Sequence, residues 1–202
     1  YYLSALYILI NYAIYYLKAE EINNVLLYSI WSVIFGFLFI AILRITEKIG
    51  FSIEKCFLPI ALALGFLFMS VTPIFRGADE ELHFYRAYEI SCGHLISDMQ
   101  DGIGGRELPK SLKEASPDST LQFNFEKLNQ KSKIPLNKDE TAFIEFPTAA
   151  LYSPLQYIPQ SIGILVGRAL LLNPVYIAYL GRMTNFLIWL ILSYFALKNT
   201  KG

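Results

Sequence analysis

Of the 202 residues, only 17% are charged, two are cysteine and two are histidine. An average soluble domain carries about 25% charged residues. So little charge leaves too little polar surface to wrap a compact soluble body of this size. Lys+Arg and Asp+Glu are 17 each, so there is no global attraction to nucleic acid, and a nucleic-acid partner is not expected. Two cysteines, at 56 and 92, exclude a disulfide scaffold and have no metal-site spacing. What the chain has instead is hydrophobic content, 54% overall with 15% aromatic.

The scarce charge is also segregated. Of 34 charged side chains, 22 lie between Arg76 and Glu145. Elsewhere the chain runs uncharged from Ile22 to Leu43, Cys56 to Phe75, Phe146 to Gly167 and Met183 to Leu197. Crossing a hydrocarbon core of about 30 Å takes roughly 20 apolar residues as helix, because lipid leaves backbone groups no other partner. The runs therefore predict an all-α polytopic membrane protein with five transmembrane helices: Tyr1–Leu17, Val25–Leu43, Cys56–Phe75, Tyr152–Leu171 and Val175–Leu197. The organisation read from this is a leading helix pair with its loop over 1–55 and a core over 56–202. Tyr1–Leu17 has no basic flank or small-residue cleavage site, which argues against a signal peptide, and the apolar first residue without Met suggests a fragment.

Short loops set the orientation. Arg44, Lys48 and Lys55 place the loop between the second and third spans in the cytoplasm. The polar segment 76–148 is then extracytoplasmic, and a connection that long is functional more often than not. On this layout Cys56 and Cys92 stand about 30 Å apart and do not pair. Arg168 and Arg182 would fall near the cytoplasmic ends of the last two spans. Snorkelling is the simpler account of both, with a buried structural or phosphate contact as the alternative. The first four spans carry no ionisable residue at mid-depth, which argues against a transporter.

Within the polar segment, G77-A-D-E-E-L-H-F-Y-R-A-Y-E-I-S91 predicts a helix with Asp79 at its N-terminus. Asp79, His83 and Arg86 fall at i, i+4 and i+7 on one face, with Glu80 beside them. Spacing alone favours a solvated interfacial face. Asp-Glu-x-x-His lacks the second histidine of a zinc protease helix. G102-I-G-G-R106 fits neither nucleotide-binding spacing and reads as a turn. From Leu108 to Glu140 no periodicity is sustained, which reads as irregular chain. Tyr152 and Tyr157 suit an aromatic belt, Pro154 suits a first helical turn, and Pro159 predicts a kink.

T72-P-I-F-R-G-A-D-E-E-L-H-F-Y-R-A-Y-E-I-S91, with Y152-S-P-L-Q-Y-I-P-Q-S-I-G-I-L-V-G-R168 and L180-G-R-M-T-N185, resembles DUF2142, a family of predicted bacterial membrane proteins related to the GT-C glycosyltransferases. The matched stretches are roughly 55–100 and 150–197. The resemblance implies the N-terminal portion of a GT-C-like enzyme in the bacterial inner membrane. Its donor would be a polyprenyl-phosphate-linked sugar, and its acceptor an envelope glycan or other acceptor on the outer face. It also implies Asp79 as general base or metal ligand with Glu80 assisting, and Mg or Mn as the cation. His83 and Arg86 would contact the lipid phosphate, and Tyr152 and Tyr157 would line the groove. The alternative is a non-catalytic membrane subunit or carrier-lipid-binding protein of an envelope polysaccharide system.

Overall fold

In a computed structural model, residues 53–72, 74–75, 77–116 and 125–200 are described, with scattered helical positions between 33 and 48. The expected span Tyr1–Leu17, and most of Val25–Leu43, lie outside the described residues. The chain divides into two units, Tyr1–Ile60 and Ala61–Gly202, and the core described below belongs to the second. Labels run from the first element described in full. They are α1 (Ile53–Val71), α2 (Glu80–Ser91), β1 (Asp98–Gln100), β2 (Ile103–Pro109), α3 (Lys110–Ala115), α4 (Phe125–Lys131), β3 (Thr141–Glu145), α5 (Pro147–Ala150), a 3₁₀ turn (Pro154–Tyr157), α6 (Ile158–Ala169) and α7 (Pro174–Asn199).

Among the described residues one helix, α7, is long and apolar enough to cross a membrane. It contains the expected fifth span, starting one residue earlier because Asn173 caps it: the Asn173 side chain accepts from Tyr176 N–H at 3.0 Å, and Pro174 occupies the first turn. Helix α1 carries the third expected span, although its apolar stretch, Lys55–Met69, is shorter than a full crossing. The expected fourth span is corrected. Pro154 and Pro159 each open a separate helical piece, leaving α6 with 12 residues. At about 1.5 Å per residue that is roughly 18 Å, too short for a 30 Å core. Five transmembrane helices are therefore not supported, and neither is a purely helical fold.

The polar segment is more ordered than its sequence suggests. It holds a three-stranded antiparallel sheet in the order β1-β2-β3, with Gln100 opposite Ile103 and Arg106 opposite Ile144. The turn expected over Gly102–Arg106 is confined to its first residue, the chain reversing at 101–102. Asp101 (φ 52°) and Gly102 (φ 81°) both have positive φ, the requirement of a type I′ hairpin. The rest of the Gly-rich stretch is strand. Gly105 sits where a Cβ would come within 2.4 Å of the Ile144 carbonyl oxygen.

The core of this unit is built around α2. Phe84 through Ile90 are all buried, between the sheet on one side and α6 on the other. Leu108, Ile144 and Phe146 from the sheet region share one buried cluster with Phe84, Ala87 and Tyr88 of α2 and with Ile164, Val175 and Ile177. The expected solvated interfacial helix is thus the most enclosed one described. Its polar residues survive burial because they bond one another, as the site geometry shows.

Helix α6 packs with its small side inward. Ser161 donates to the carbonyls of Ala87 (3.0 Å) and Tyr157 (2.8 Å), while Gly163 and Gly167 face α7. Leu155, Ile158, Ile162, Leu165 and Val166 point outward and are exposed. Small residues inward and bulky aliphatics outward is the pattern of helices that pack in lipid. Helix α7 continues past this hairpin to α1, where the Phe186 ring lies against Gly65 and meets Phe66 edge-on at 6.3 Å.

Candidate functional site

Asp79 is the N-cap residue of α2, held in the left-handed region (φ 55°), and its exposed carboxylate makes no capping bond to the helix. That conformation is uncommon outside glycine, Asn and Asp. Glu80 behaves oppositely. Arg182 Nε and Nη2 grip its two carboxylate oxygens in a fork, with Nη2 to Oε2 at 2.6 Å. Gly77 N–H also donates to Oε2 at 3.1 Å, and Arg182 Nη1 donates to the Thr72 carbonyl at 2.6 Å. One guanidinium therefore ties the end of α1, the start of α2 and the middle of α7 together.

This corrects the reading of Arg182. It neither snorkels nor lies far from Asp79; it binds the adjacent carboxylate. Arg168 is corrected too. Its Nη1 donates to the carbonyl (2.6 Å) and hydroxyl (3.0 Å) of Ser91, and its guanidinium lies 4.9 Å from the Tyr88 ring centroid. A cation there satisfies the last carbonyls of α2 and the negative end of its dipole. The common cause is the short α6: without a crossing, both arginines stay on the side of α2. Burial pushes the Tyr88 phenol up to about 12, against the lowering effect of Arg168.

The Glu80–Arg182 fork is partly buried, so its coupling should exceed that of an exposed pair. A double-mutant cycle with Glu80→Gln and Arg182→Met, read by chemical unfolding, should give about 1–3 kcal/mol, between the ~0–1 of surface pairs and the ~3–5 for breaking a buried one. Coupling under about 0.5 kcal/mol would show the fork to be incidental.

His83 sits one turn along from Asp79, between two tyrosines. Its Nδ1 shares a 2.7 Å hydrogen bond with the Tyr157 hydroxyl, and its ring lies 5.9 Å from Tyr152 and 5.8 Å from Tyr157. Burial raises the Tyr157 phenol, so its hydroxyl stays protonated at neutral pH. Tyr157 is buried and Tyr152 is half exposed.

Arg86, expected on the same face as a phosphate contact, is 2% exposed and turned into the core. It donates to Glu89, to Ser97 Oγ at 2.9 Å and to the Leu95 carbonyl at 2.8 Å. Arg106 from β2 binds the other oxygen of Glu89, and Ser97 Oγ donates to Glu89 Oε2 at 2.7 Å. Sequence spacing missed Glu89, Ser97 and Arg106, because residues 17 positions apart on a helix and a strand share no period.

The structure thus brings Asp79 beside the Glu80–Arg182 fork and joins His83 to both tyrosines. It does not bring Asp79 and Glu80 together as paired ligands. Consecutive helical residues diverge rather than face one another, and both Glu80 oxygens are already taken. Among the described residues no group of three or more His, Cys, Asp or Glu could hold a metal ion. A resident cation on this carboxylate pair does not fit. Cys56 and Cys92 are both free cysteines.

No curated protein and no solved structure matches the chain. A family model described as "Predicted membrane protein (DUF2142)" matches residues 62–201, a stretch that holds the end of α1, the α2 core, the sheet and the α6–α7 hairpin. On that match the chain belongs to the DUF2142 family of predicted membrane proteins.

Proposed function

We propose that the protein is a membrane glycosyltransferase, or the part of one that carries the reacting carboxylate, moving a sugar from a polyprenyl-phosphate donor to an envelope glycan or other hydroxyl acceptor at the outer face. The observation that carries this reading is the contrast between two adjacent carboxylates. Glu80 is locked by Arg182, whereas Asp79 is exposed, uncapped and held on that rigid mount where α1 and α7 end their apolar course. A base needs this combination: freedom at the oxygen that takes the proton, and rigidity in everything behind it.

In the proposed step the acceptor hydroxyl gives its proton to the Asp79 carboxylate while its oxygen attacks the anomeric carbon of the donor. The bond from that carbon to the phosphate oxygen breaks, and its electron pair leaves with the polyprenyl phosphate. His83, held by the Tyr157 hydroxyl, would donate to the phosphate. No step passes through a metal, since the carboxylate pair is not arranged to hold one.

Asp79→Asn keeps the size and removes the base. Glycan transfer, measured in proteoliposomes with a polyprenyl-phosphate sugar, should fall about 10²-fold or more, with unchanged protection of α2 from hydrogen exchange. Unchanged transfer would remove Asp79 from the chemistry and leave the non-catalytic carrier-lipid-binding reading in its place.

A further inference from the structure

A cleft of about 450 Å³ with Tyr152 in its lining opens between the β1–β2 hairpin and the chain from α5 to the 3₁₀ turn. Arg86 forms part of its lining, with Ser97, Met99, Gly104, Tyr152 and Ser153 around it. Two independent features of this cleft ask for an anion. First, the ion pairs give two guanidiniums, Arg86 and Arg106, one fully buried carboxylate, Glu89; the second acidic partner, Asp98, reaches only Arg106, at 3.2 Å, and is 58% exposed. Second, Arg86 Nε is buried and has no hydrogen-bond partner, a costly state for a charged donor.

The size and remaining lining narrow the class of ligand. The volume is ample for a sugar ring, the Tyr152 ring supplies a stacking face, and the Ser97 and Ser153 hydroxyls can meet ring hydroxyls. Arg86 lies seven residues beyond Asp79 on α2, about 10 Å along the axis, so the cleft is a neighbour of the Asp79 carboxylate rather than the same place. We propose that this cleft binds a sugar residue bearing a single anionic group, carboxylate or phosphate, which pairs with the Arg86 side of the Arg86–Glu89–Arg106 cluster while its ring lies on Tyr152. This binding stands whether or not Asp79 acts as a base, because occupancy needs no transfer.

The test measures binding alone, using the full chain in lipid nanodiscs and saturation-transfer NMR with D-glucuronate, D-glucose and glycerol 3-phosphate as probes. Glucuronate should bind saturably and ~tenfold or more tighter than glucose, the difference expected for one hydrogen bond to a charged group. Met99→Trp, a substitution at an exposed side chain on the rim, should fill the cleft and abolish the glucuronate signal with α2 protection intact. Arg86→Lys, kept if it folds, should weaken glucuronate and leave glucose unchanged. Displacement of glucuronate by glycerol 3-phosphate would identify a phosphate, such as that of a carrier headgroup, as an anion the cleft accepts; lack of displacement would assign the anion to a sugar acid. Equal affinity for glucose and glucuronate, or a Met99→Trp protein that binds as before, would overturn the proposal.

Discussion

Glu89→Ala should destabilise the α2 core by about 3–5 kcal/mol, the usual cost of removing one partner from a buried charged network. Glu89 is fully buried and accepts from Arg86, Arg106 and Ser97. Its loss leaves the buried Arg86 guanidinium with no carboxylate partner and Arg106 with only the exposed Asp98. Against a total stability of about 5–15 kcal/mol for a domain, this is a large fraction. Hydrogen exchange of the α2 amides should accelerate by roughly two to four orders of magnitude, matching that energy at ~1.4 kcal/mol per tenfold. Replacing all three charges, Arg86→Met, Glu89→Leu and Arg106→Leu, should recover much of the loss, because well-packed apolar residues avoid the desolvation penalty. A single Glu89→Ala variant that loses under about 1 kcal/mol would mean water or another group already solvates the cluster.

Gly163→Leu should cost about 3 kcal/mol or more, near the upper end for overpacking. A Cβ at this position would lie 2.3 Å from the Leu180 carbonyl oxygen and 2.4 Å from Thr184 Oγ1. The first obstacle is backbone in the middle of α7, which no rotamer change can move. The α6–α7 hairpin would have to open, and Leu180 and Thr184 flank Arg182, so the Glu80–Arg182 fork should weaken with it. Ile162→Ala, one residue away on the exposed face, is the control and should change stability by less than about 0.5 kcal/mol. Equal effects from the two substitutions, measured by chemical unfolding of the full chain, would show that the close approach is not required.

The elements that could be read from the residues were those with a local cause. Asp79 followed by a helical period placed the start of α2 correctly, and the uncharged run from Met183 to Leu197 marked most of α7. The Gly-rich stretch from Gly102 marked a turn, but strands of three to seven residues on either side are too short for a period to stand out. The fourth apolar run was misleading because hydropathy counts residues and does not see where Pro154 and Pro159 divide them. Burial of α2 was illegible for a related reason. Its composition is polar, and only the arrival of Arg106 from β2 and Arg168 from α6 makes that polarity compatible with an interior.

Membrane character, the uneven placement of charge and the exposed carboxylate at the head of α2 were decided along the chain, by propensity and hydropathy acting within about twenty residues. The partners of that carboxylate's neighbours were decided only in three dimensions. Glu80 meets Arg182 across 102 positions and His83 meets Tyr157 across 74, and no local rule selects a contact at such separation. Packing selects it, because a buried charge or ring nitrogen is tolerable only where the fold brings its complement within bonding distance.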